Sequence, residues 1–218
     1  MQSRVEFLNS KICVPYQQAL EVMQNRVKGI IEGTAEQALW FLEHPQLYTA
    51  GTGANDNDLL QPDKFPVHKT GRGGKYTYHG PGQRVAYIML DLKKIHDGAP
   101  DIKKFVRQIE NWVIESLAEF GIKGETHPGR VGIWVTNSDG QEEKIAAIGI
   151  RMQKWVSYHG IAININTNLD DYDGIVPCGI SEHGVTSLHK LGKLISMEEF
   201  DKVIAAKFAQ VFNVELVG

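Results

Sequence analysis

The sequence predicts an α+β protein with a central mixed or antiparallel sheet. Three observations lead there: strand-like segments crowd the middle of the chain, three longer segments carry apolar residues at helical spacing, and no linker, repeat or low-complexity stretch divides the 218 residues. A chain of this length commonly makes one domain, so a single unit over residues 1–218 is expected, burying about 70% of its unfolded surface. The composition is 42% hydrophobic with a net charge of −3. That balance suits a globular body and supplies neither the basic excess that nucleic acid requires nor a polybasic tract for a membrane surface.

In chain order, Val5 to Leu8 reads as a short strand. The charges at Arg4, Glu6 and Lys11 leave no apolar core for a signal peptide, and runs such as VAYIML (85–90) fall far short of a membrane span, so a cytoplasmic protein is expected. Pro15 opens a helix, where its missing N–H costs nothing, and Tyr16, Leu20, Met23, Val27 and Ile30 or Ile31 form one apolar stripe that reads as core. Ala38 to Leu42 is a strand that ends by Pro45. The Gly-, Asn- and Asp-rich loop at 51–62 reads as mobile or substrate-facing.

Arg84 to Leu92 is a strand, and Asp101 caps a helix to about Phe120 whose stripe is Ile102, Phe105, Val106, Ile109, Trp112, Val113 and Leu117. Val131 to Val135 and Lys144 to Met152 read as antiparallel strands joined through NSDGQEE, in which Asp139-Gly140 is a hairpin signal. In the next strand alternation puts His159, Ile161, Ile163 and Ile165 on one face and Tyr158, Gly160, Ala162 and Asn164 on the other. Ser196 and Glu199 form a capping box for a last helix to about Phe212, with Phe200, Val203, Ile204, Phe208 and Val211 as its apolar stripe.

Two segments carry candidate chemistry. GRGGKYTYHGPGQ (71–83) clusters glycines around Arg72, Tyr76, Tyr78 and His79, which lets backbone approach a ligand closely. It is neither a Walker loop, having no GxxxxGK[ST], nor a dinucleotide fingerprint, because Tyr76 stands where the third glycine belongs. Taken alone it reads as a glycine-rich turn between strands. The second segment runs from Lys144 to Ile180. The residues after Lys144 are apolar at both strand parities, which marks a strand covered on both sides, so the lysine borders the interior. Cys178 sits between Pro177 and Gly179, in a turn of the kind that displays reactive groups. A thiol near its ordinary pKa of about 8.5 is only a few per cent ionised at neutral pH and needs a neighbouring cation or base, a part that lysine can take. An isolated cysteine is more often a small buried hydrophobe, and an isolated lysine a solvated surface residue. Cys13 and Cys178 are the two cysteines; no Cys-x-x-Cys or histidine spacing suggests zinc, and a reducing compartment disfavours a disulfide between them.

The blocks KIAAIGIRMQKWVSYHGIAININ with VPCGI, EHPQLYTAGT (43–52), GRGGKYTYHGPGQRVAYIMLDL (71–92) and HPGRVGIWV (127–135) together resemble the octanoyltransferases of protein lipoylation, over roughly residues 36–190. The resemblance implies the fold shared with the catalytic domains of biotin and lipoate protein ligases. It implies that Cys178 and Lys144 are the catalytic pair. It places Arg72, Gly73, Gly74, Lys75, Tyr76, Thr77, Tyr78 and His79, with Ala147, Ile148 and Gly149 and with Gly160, Ile161 and Ala162, against the acyl substrate. Small residues at 149, 160 and 162 would leave a gap for a straight acyl chain, close packing being the alternative. His127 and His159 are expected to satisfy structural hydrogen bonds, whereas His79 is kept as a pocket residue.

The implied reaction moves an octanoyl or lipoyl group from acyl carrier protein through a Cys178 thioester to a lysine of a lipoyl domain, in 2-oxoacid dehydrogenase complexes or the glycine cleavage H protein. Thioester energy suffices for the amide, so no cofactor, ATP or metal is implied, and no nucleic acid or membrane is expected as a partner. Backbone N–H groups near Cys178 or Gly149 are candidates for the oxyanion site, and Thr186 and Ser187 for hydrogen bonds in a segment that returns to the site. Burying the seven carbons beyond the carbonyl is worth about 5 kcal/mol, which discriminates chain length only modestly unless the pocket ends in a wall. Two rivals share these features: an ATP-dependent lipoate or biotin ligase, whose RRxSGGG and GRGRxG loops are missing from this sequence, and a non-catalytic acyl-carrier-binding module in which Cys178 is structural.

Overall fold

A computed structural model of the chain describes residues 2–177 and 183–218. Its elements are β1 (Ser3–Asn9), α1 (Tyr16–Glu32), β2 (Gln37–Leu42), β3 (Leu47–Ala50), β4 (Val67–Lys69), β5 (Tyr76–His79), β6 (Gln83–Met89), the one-turn α2 (Leu92–Ile95), α3 (Ile102–Ala118), β7 (Glu125–His127), β8 (Arg130–Thr136), β9 (Glu142–Gln153), β10 (Val156–Asn164), β11 (Gly184–Val185), α4 (Met197–Phe212) and β12 (Val214–Val217). Short 3-10 turns occupy Asp56–Asp58 and Leu169–Gly174.

The larger sheet has nine strands in the order β12-β1-β2-β6-β10-β9-β8-β7, with β11 alongside β9. It is mixed: β1 runs parallel to both β12 and β2, β11 runs parallel to β9, and the pairs from β2 through β7 are antiparallel. The expected α+β class with a mixed sheet is therefore what the chain forms. Central β2 and β6 are buried along their whole length because both faces are covered. Leu39, Phe41, Ala86 and Ile88 meet Phe105, Trp112, Ile204 and Phe208 of α3 and α4 on one face. Ala38, Trp40, Val85 and Tyr87 meet Ala19, Met23 and Val27 of α1 on the other.

The helices form where local signals put them. Asp101 accepts from the Lys104 N–H, Ser196 and Glu199 complete their capping box, and α1 ends at Gly33 with φ of 73°. Within the expected stripes, Ile102 is 45% exposed, and Leu20, Val106, Val203 and Val211 are half-buried. Ala19 and Phe212, adjacent to Leu20 and Val211, are buried in their stead, and Ser116 joins the buried side of α3.

The smaller sheet, β4-β3-β5, escapes sequence reading, as do β7 and β12, because strands of three or four residues offer no measurable alternation. It stacks Tyr48, Tyr76 and Tyr78 against Tyr172 and Ile175 and so fixes the 3-10 turn at Leu169–Gly174. The 51–62 loop is sewn into this layer. Thr52 and Gly53 donate to the Arg72 and Gly74 carbonyls, Leu60 and Gln61 donate to that of Gly174, and the Val176 N–H donates to Asp58 O at 2.7 Å.

Candidate active site: a lysine socket beside an apolar cavity

Lys144 is positioned by an irregularity in β9. Trp134 of β8 pairs with Lys144, yet the adjacent Ile133 pairs with Ala146, so Ile145 is an extra residue that bulges the strand. Such bulges re-aim side chains. They also break the strict parity expected for this strand: Ile145 and Ala146 pack into the same core. Gly132, at φ 117°, makes the arrangement possible, since a Cβ there would lie 2.5 Å from Ala146 O and 3.2 Å from Lys144 Cε. Lys144 is only 6% exposed. Its Nζ donates to Val131 O at 2.7 Å and lies 4.7 Å from the centre of the Trp134 ring. The lysine borders the interior as its strand context predicts.

Cys178, together with the start of the segment that follows it, lies outside the described residues. The chain on both sides of it nevertheless converges on Lys144. Pro177 and Lys144 line one small cavity with Thr77, Asn164 and Tyr172. On the other side Val185 pairs with Lys144, and the Thr186 N–H donates to the Lys144 carbonyl at 2.9 Å. The expected return of this segment to the lysine is therefore present. Thr186 contributes its backbone there: its N–H goes to Lys144, and its carbonyl accepts from Asn164 Nδ2 at 2.9 Å. Ser187 turns to its own loop, accepting from Lys190 N.

Beside the lysine, an apolar cavity of about 160 Å³ runs between the glycine-rich segment and the β9–β10 pair. Opposed Ala147 and Ala162, Ile148 and Ile161, and Gly149 and Gly160 run along it. Arg72, Gly74, Lys75, Tyr76, Thr77 and His79 form the facing wall. Of the residues expected there, Gly73 and Tyr78 do not line it. The Gly73 N–H goes to Ile150 O, and the Tyr78 hydroxyl donates to Asp171 Oδ2 at 2.8 Å in the smaller sheet's core.

The expected gap at the small residues is mostly filled by protein. A Cβ at Gly160 would lie 1.9 Å from the Ala86 carbonyl, and one at Gly149 would lie 2.9 Å from Arg72 Cδ. Those glycines admit close packing, by a neighbouring strand and by the arginine stem, so the cavity volume arises elsewhere. Arg72 directs its donors inward, to the carbonyls of Thr49, Gly73 and Lys75 and to Thr49 Oγ1, and thereby ties its own loop to β3.

Sequence reading misses Val85, Tyr87, Gly129 and Val131, and assigns Tyr16 and His159 elsewhere; all six line the cavity. Tyr16 sits on the helical stripe as expected, but at its first turn, where that stripe overhangs the cavity. His159 leaves the isoleucine face because its φ is 60°. Its ring stacks on Tyr158 at 5.1 Å and meets Tyr87 edge-on at 6.2 Å. Tyr87 in turn donates to His44 Nε2 at 2.7 Å, while His44 Nδ1 donates to Val14 O at 2.6 Å. Gln83 spends its amide N–H groups on Tyr78 O, Asn164 Oδ1 and Tyr172 Oη, so its carbonyl accepts from His79 Nδ1 at 2.7 Å.

These histidines are held neutral. Burial lowers His44 and His159 to about 4, with the Arg72 charge also acting on His159, and burial with His44 and Arg72 nearby puts His79 well below its ordinary value. None is placed as a base beside Lys144. His127 pairs with Glu142 at 3.0 Å, a structural role as expected. Gly149 stands five residues along β9 from Lys144, about 17 Å of extended chain, too far to serve a carbonyl reacting there.

Residues 15–209 match the family described as the lipoyl protein ligase A/B catalytic domain. The chain is 55% identical to an octanoyltransferase of Brucella melitensis over 217 residues, 96% of this chain and 81% of that protein. It is 52% identical to an octanoyltransferase of Paramagnetospirillum magneticum over 215 residues, 99% of this chain and 100% of that one. Among solved structures, a bipartite lipoate protein ligase from Thermoplasma acidophilum superposes with a TM-score of 0.71 at 15% identity, covering 100% of this chain and 86% of that one, which is a likeness of fold.

Proposed function

The chain belongs to the lipoyl protein ligase A/B catalytic-domain family and is an octanoyltransferase of protein lipoylation, and from that premise we propose that the octanoyl group travels through a thioester on Cys178. The observation that carries the proposal is the convergence of both flanks of Cys178 on Lys144, through Pro177 on one side and Val185 and Thr186 on the other.

The reaction has two halves. The Cys178 thiolate attacks the thioester carbonyl of octanoyl-acyl carrier protein; the new C–S bond forms, the tetrahedral adduct collapses, and the phosphopantetheine sulfur leaves and takes a proton. A lipoyl-domain lysine amine then attacks the octanoyl-enzyme, an amide bond replaces the thioester, and Cys178 leaves as thiolate. Lys144, as the ammonium, stabilises the Cys178 thiolate and gives its proton to the departing phosphopantetheine sulfur; the neutral amine so formed takes up the proton that the incoming lysine amine sheds in the second half. Backbone N–H groups near Cys178 hold the oxyanion.

The acyl chain lies in the cavity between Lys144 and the Tyr16, Tyr87 and His159 rings. An apolar space of about 150 Å³ holds a benzene-sized solute, so a cavity of about 160 Å³ takes most of an eight-carbon chain with its carbonyl at the open end. The acceptors are lipoyl domains of 2-oxoacid dehydrogenase complexes and the glycine cleavage H protein, and the enzyme works in the cytoplasm. Among the described residues no helix is long and apolar enough to cross a membrane.

Incubation with octanoyl-acyl carrier protein, without acceptor or ATP, tests the thioester by intact mass. A hydroxylamine-labile octanoyl adduct, absent in Cys178→Ser, is expected. Transfer to a lipoyl domain with no adduct would mean direct transfer and would remove Cys178 as nucleophile. Amide formation from free octanoate and ATP would instead mark a ligase.

A further inference from the structure

Trp134 touches Lys144 yet neither lines the acyl cavity nor takes part in the transfer steps. It is 2% exposed, faces Lys144 directly across the β8–β9 ladder, and carries the lysine ammonium 4.7 Å from its ring centre. A lysine side chain turns about four bonds, so fixing its charge takes more than one anchor. The Val131 carbonyl supplies a point acceptor at 2.7 Å, and the negative face of the indole supplies a broad one.

The charged groups around this socket are paired with one another. Glu142 binds Arg130 at 2.7 Å and His127 at 3.0 Å, Glu143 binds Lys190 at 2.7 Å, and Arg130, which also lies 4.9 Å from the Trp134 ring centre, reaches His183 Nε2 at 2.8 Å. The carboxylates that neighbour Lys144 in sequence thus turn to other cations. Trp134 is itself fastened, its Nε1 donating to Arg130 O at 3.3 Å.

We propose that Trp134 is the positioning residue for Lys144: its ring face, with the Val131 carbonyl, holds the ammonium where it stabilises the Cys178 thiolate. The proposal rests on Lys144 and Cys178 being the reacting pair. Its distinctive consequence is that the thiol depends on an aromatic face at position 134 and not merely on a side chain that fills the space.

The test is the rate of Cys178 alkylation by iodoacetamide as a function of pH, in a Cys13→Ser background that leaves a single thiol. The parent midpoint is expected below the ordinary thiol value of about 8.5, raised by about one unit in Trp134→Leu and by only a few tenths in Trp134→Phe, which keeps a ring. Lys144→Ala is expected to raise it too, and Trp134→Leu to add nothing further in the Lys144→Ala protein. Equal shifts in the Leu and Phe variants, or none, with a shift in Lys144→Ala would overturn the role of Trp134 and leave the pair intact. No shift in Lys144→Ala would overturn the pair itself, and this proposal with it. A second arm avoids the risk that Trp134→Leu does not fold: biosynthetic replacement of tryptophan by tetrafluorotryptophan keeps the shape and weakens the ring face. A raised midpoint supports the proposal, and an unchanged one refutes it.

Discussion

The hydroxyl of Tyr78 donates to the carboxylate of Asp171 at 2.8 Å, so the glycine-rich segment holds, through a side chain that faces away from the cavity, the turn that leads to Cys178. Asp171 is 6% exposed; Gln46 donates to the same oxygen at 3.0 Å, and Tyr48 donates to the Asp171 carbonyl at 2.7 Å. Burial and the adjoining carboxylate push the Tyr78 hydroxyl far up, so it remains a donor at any working pH. Tyr78→Phe removes a hydrogen bond to a buried charge and is expected to cost about 2 kcal/mol in urea unfolding. It is also expected to slow octanoyl-adduct formation several-fold while the KM for the acyl donor holds. A Tyr78→Phe protein that acylates at the parent rate would show that Gln46 and Tyr48 hold the turn without it.

With the acyl chain placed in the cavity as proposed, its length is set at the aromatic end. Tyr87 pairs with Gly160, His159 turns in beside it, and Tyr16 meets His44 at 5.5 Å between ring centres, so the far end of the acyl chain meets rings and not open solvent. Tyr16→Ala removes a ring that is 4% exposed without touching the Tyr87–His44 hydrogen bond. Each further methylene buried is worth about 0.8 kcal/mol, roughly fourfold in kcat/KM. The variant is expected to prefer ten- or twelve-carbon donors over octanoyl in a competition among acyl carrier protein thioesters. An unchanged optimum would place the limiting wall at Tyr87 or His159.

Much of this architecture is legible in residue order because the long elements obey short-range rules. Asp101, Ser196 and Glu199 cap helices as their spacing says, and β2 and β6 read as strands, which the structure buries on both faces. The interior setting of Lys144 is legible because the residues after it are apolar at both strand parities. The wall of the cavity is not. An apolar stripe gives no sign that its first residue, Tyr16, overhangs a cavity while Met23, two turns later, packs on a sheet. His159 leaves its alternation through a single left-handed φ, which no periodicity encodes. Tyr78 obeys alternation within β5, but a four-residue strand between glycines offers too few positions to tell its faces apart.

The neutral histidines make stability pH-dependent. His44 and His159 sit at about 4 when folded against about 6.5 unfolded, so between those values the unfolded chain binds more protons and is favoured. Their contribution is fully present above about pH 6.5 and is lost as pH falls toward 4, at most roughly 3 kcal/mol for each. Urea midpoints measured at pH 7.5 and 5.0 are expected to fall accordingly. His159→Asn, which removes one titrating ring and suits a left-handed φ, is expected to flatten that slope. A slope equal to the parent's would mean that His159 is already charged in the folded protein.

On the sheet face away from the cavity, Arg84 and Asp201 join β6 to α4 through two hydrogen bonds, Nε to Oδ1 at 2.7 Å and Nη2 to Oδ2 at 2.9 Å, with side chains only 4% and 7% exposed. Asn9 adds a third donor to the carboxylate at 2.9 Å, and the guanidinium lies 5.9 Å from the Phe41 ring centre. Burying both charges costs much of what their attraction returns, so the pair's net contribution is small, but removing one partner strands the other. Asp201→Ala is therefore expected to destabilise the protein by about 3–5 kcal/mol, whereas Arg84→Met with Asp201→Leu is expected to unfold near the parent's urea midpoint. Octanoyl transfer by the double variant, assayed well below its unfolding temperature, is expected to match the parent, because the cavity is walled by the opposite face of β6, at Val85 and Tyr87. If Asp201→Ala costs less than about 1 kcal/mol, the arginine has found another acceptor or water, and α4 is held on the sheet by Phe200, Ile204 and Phe208 alone.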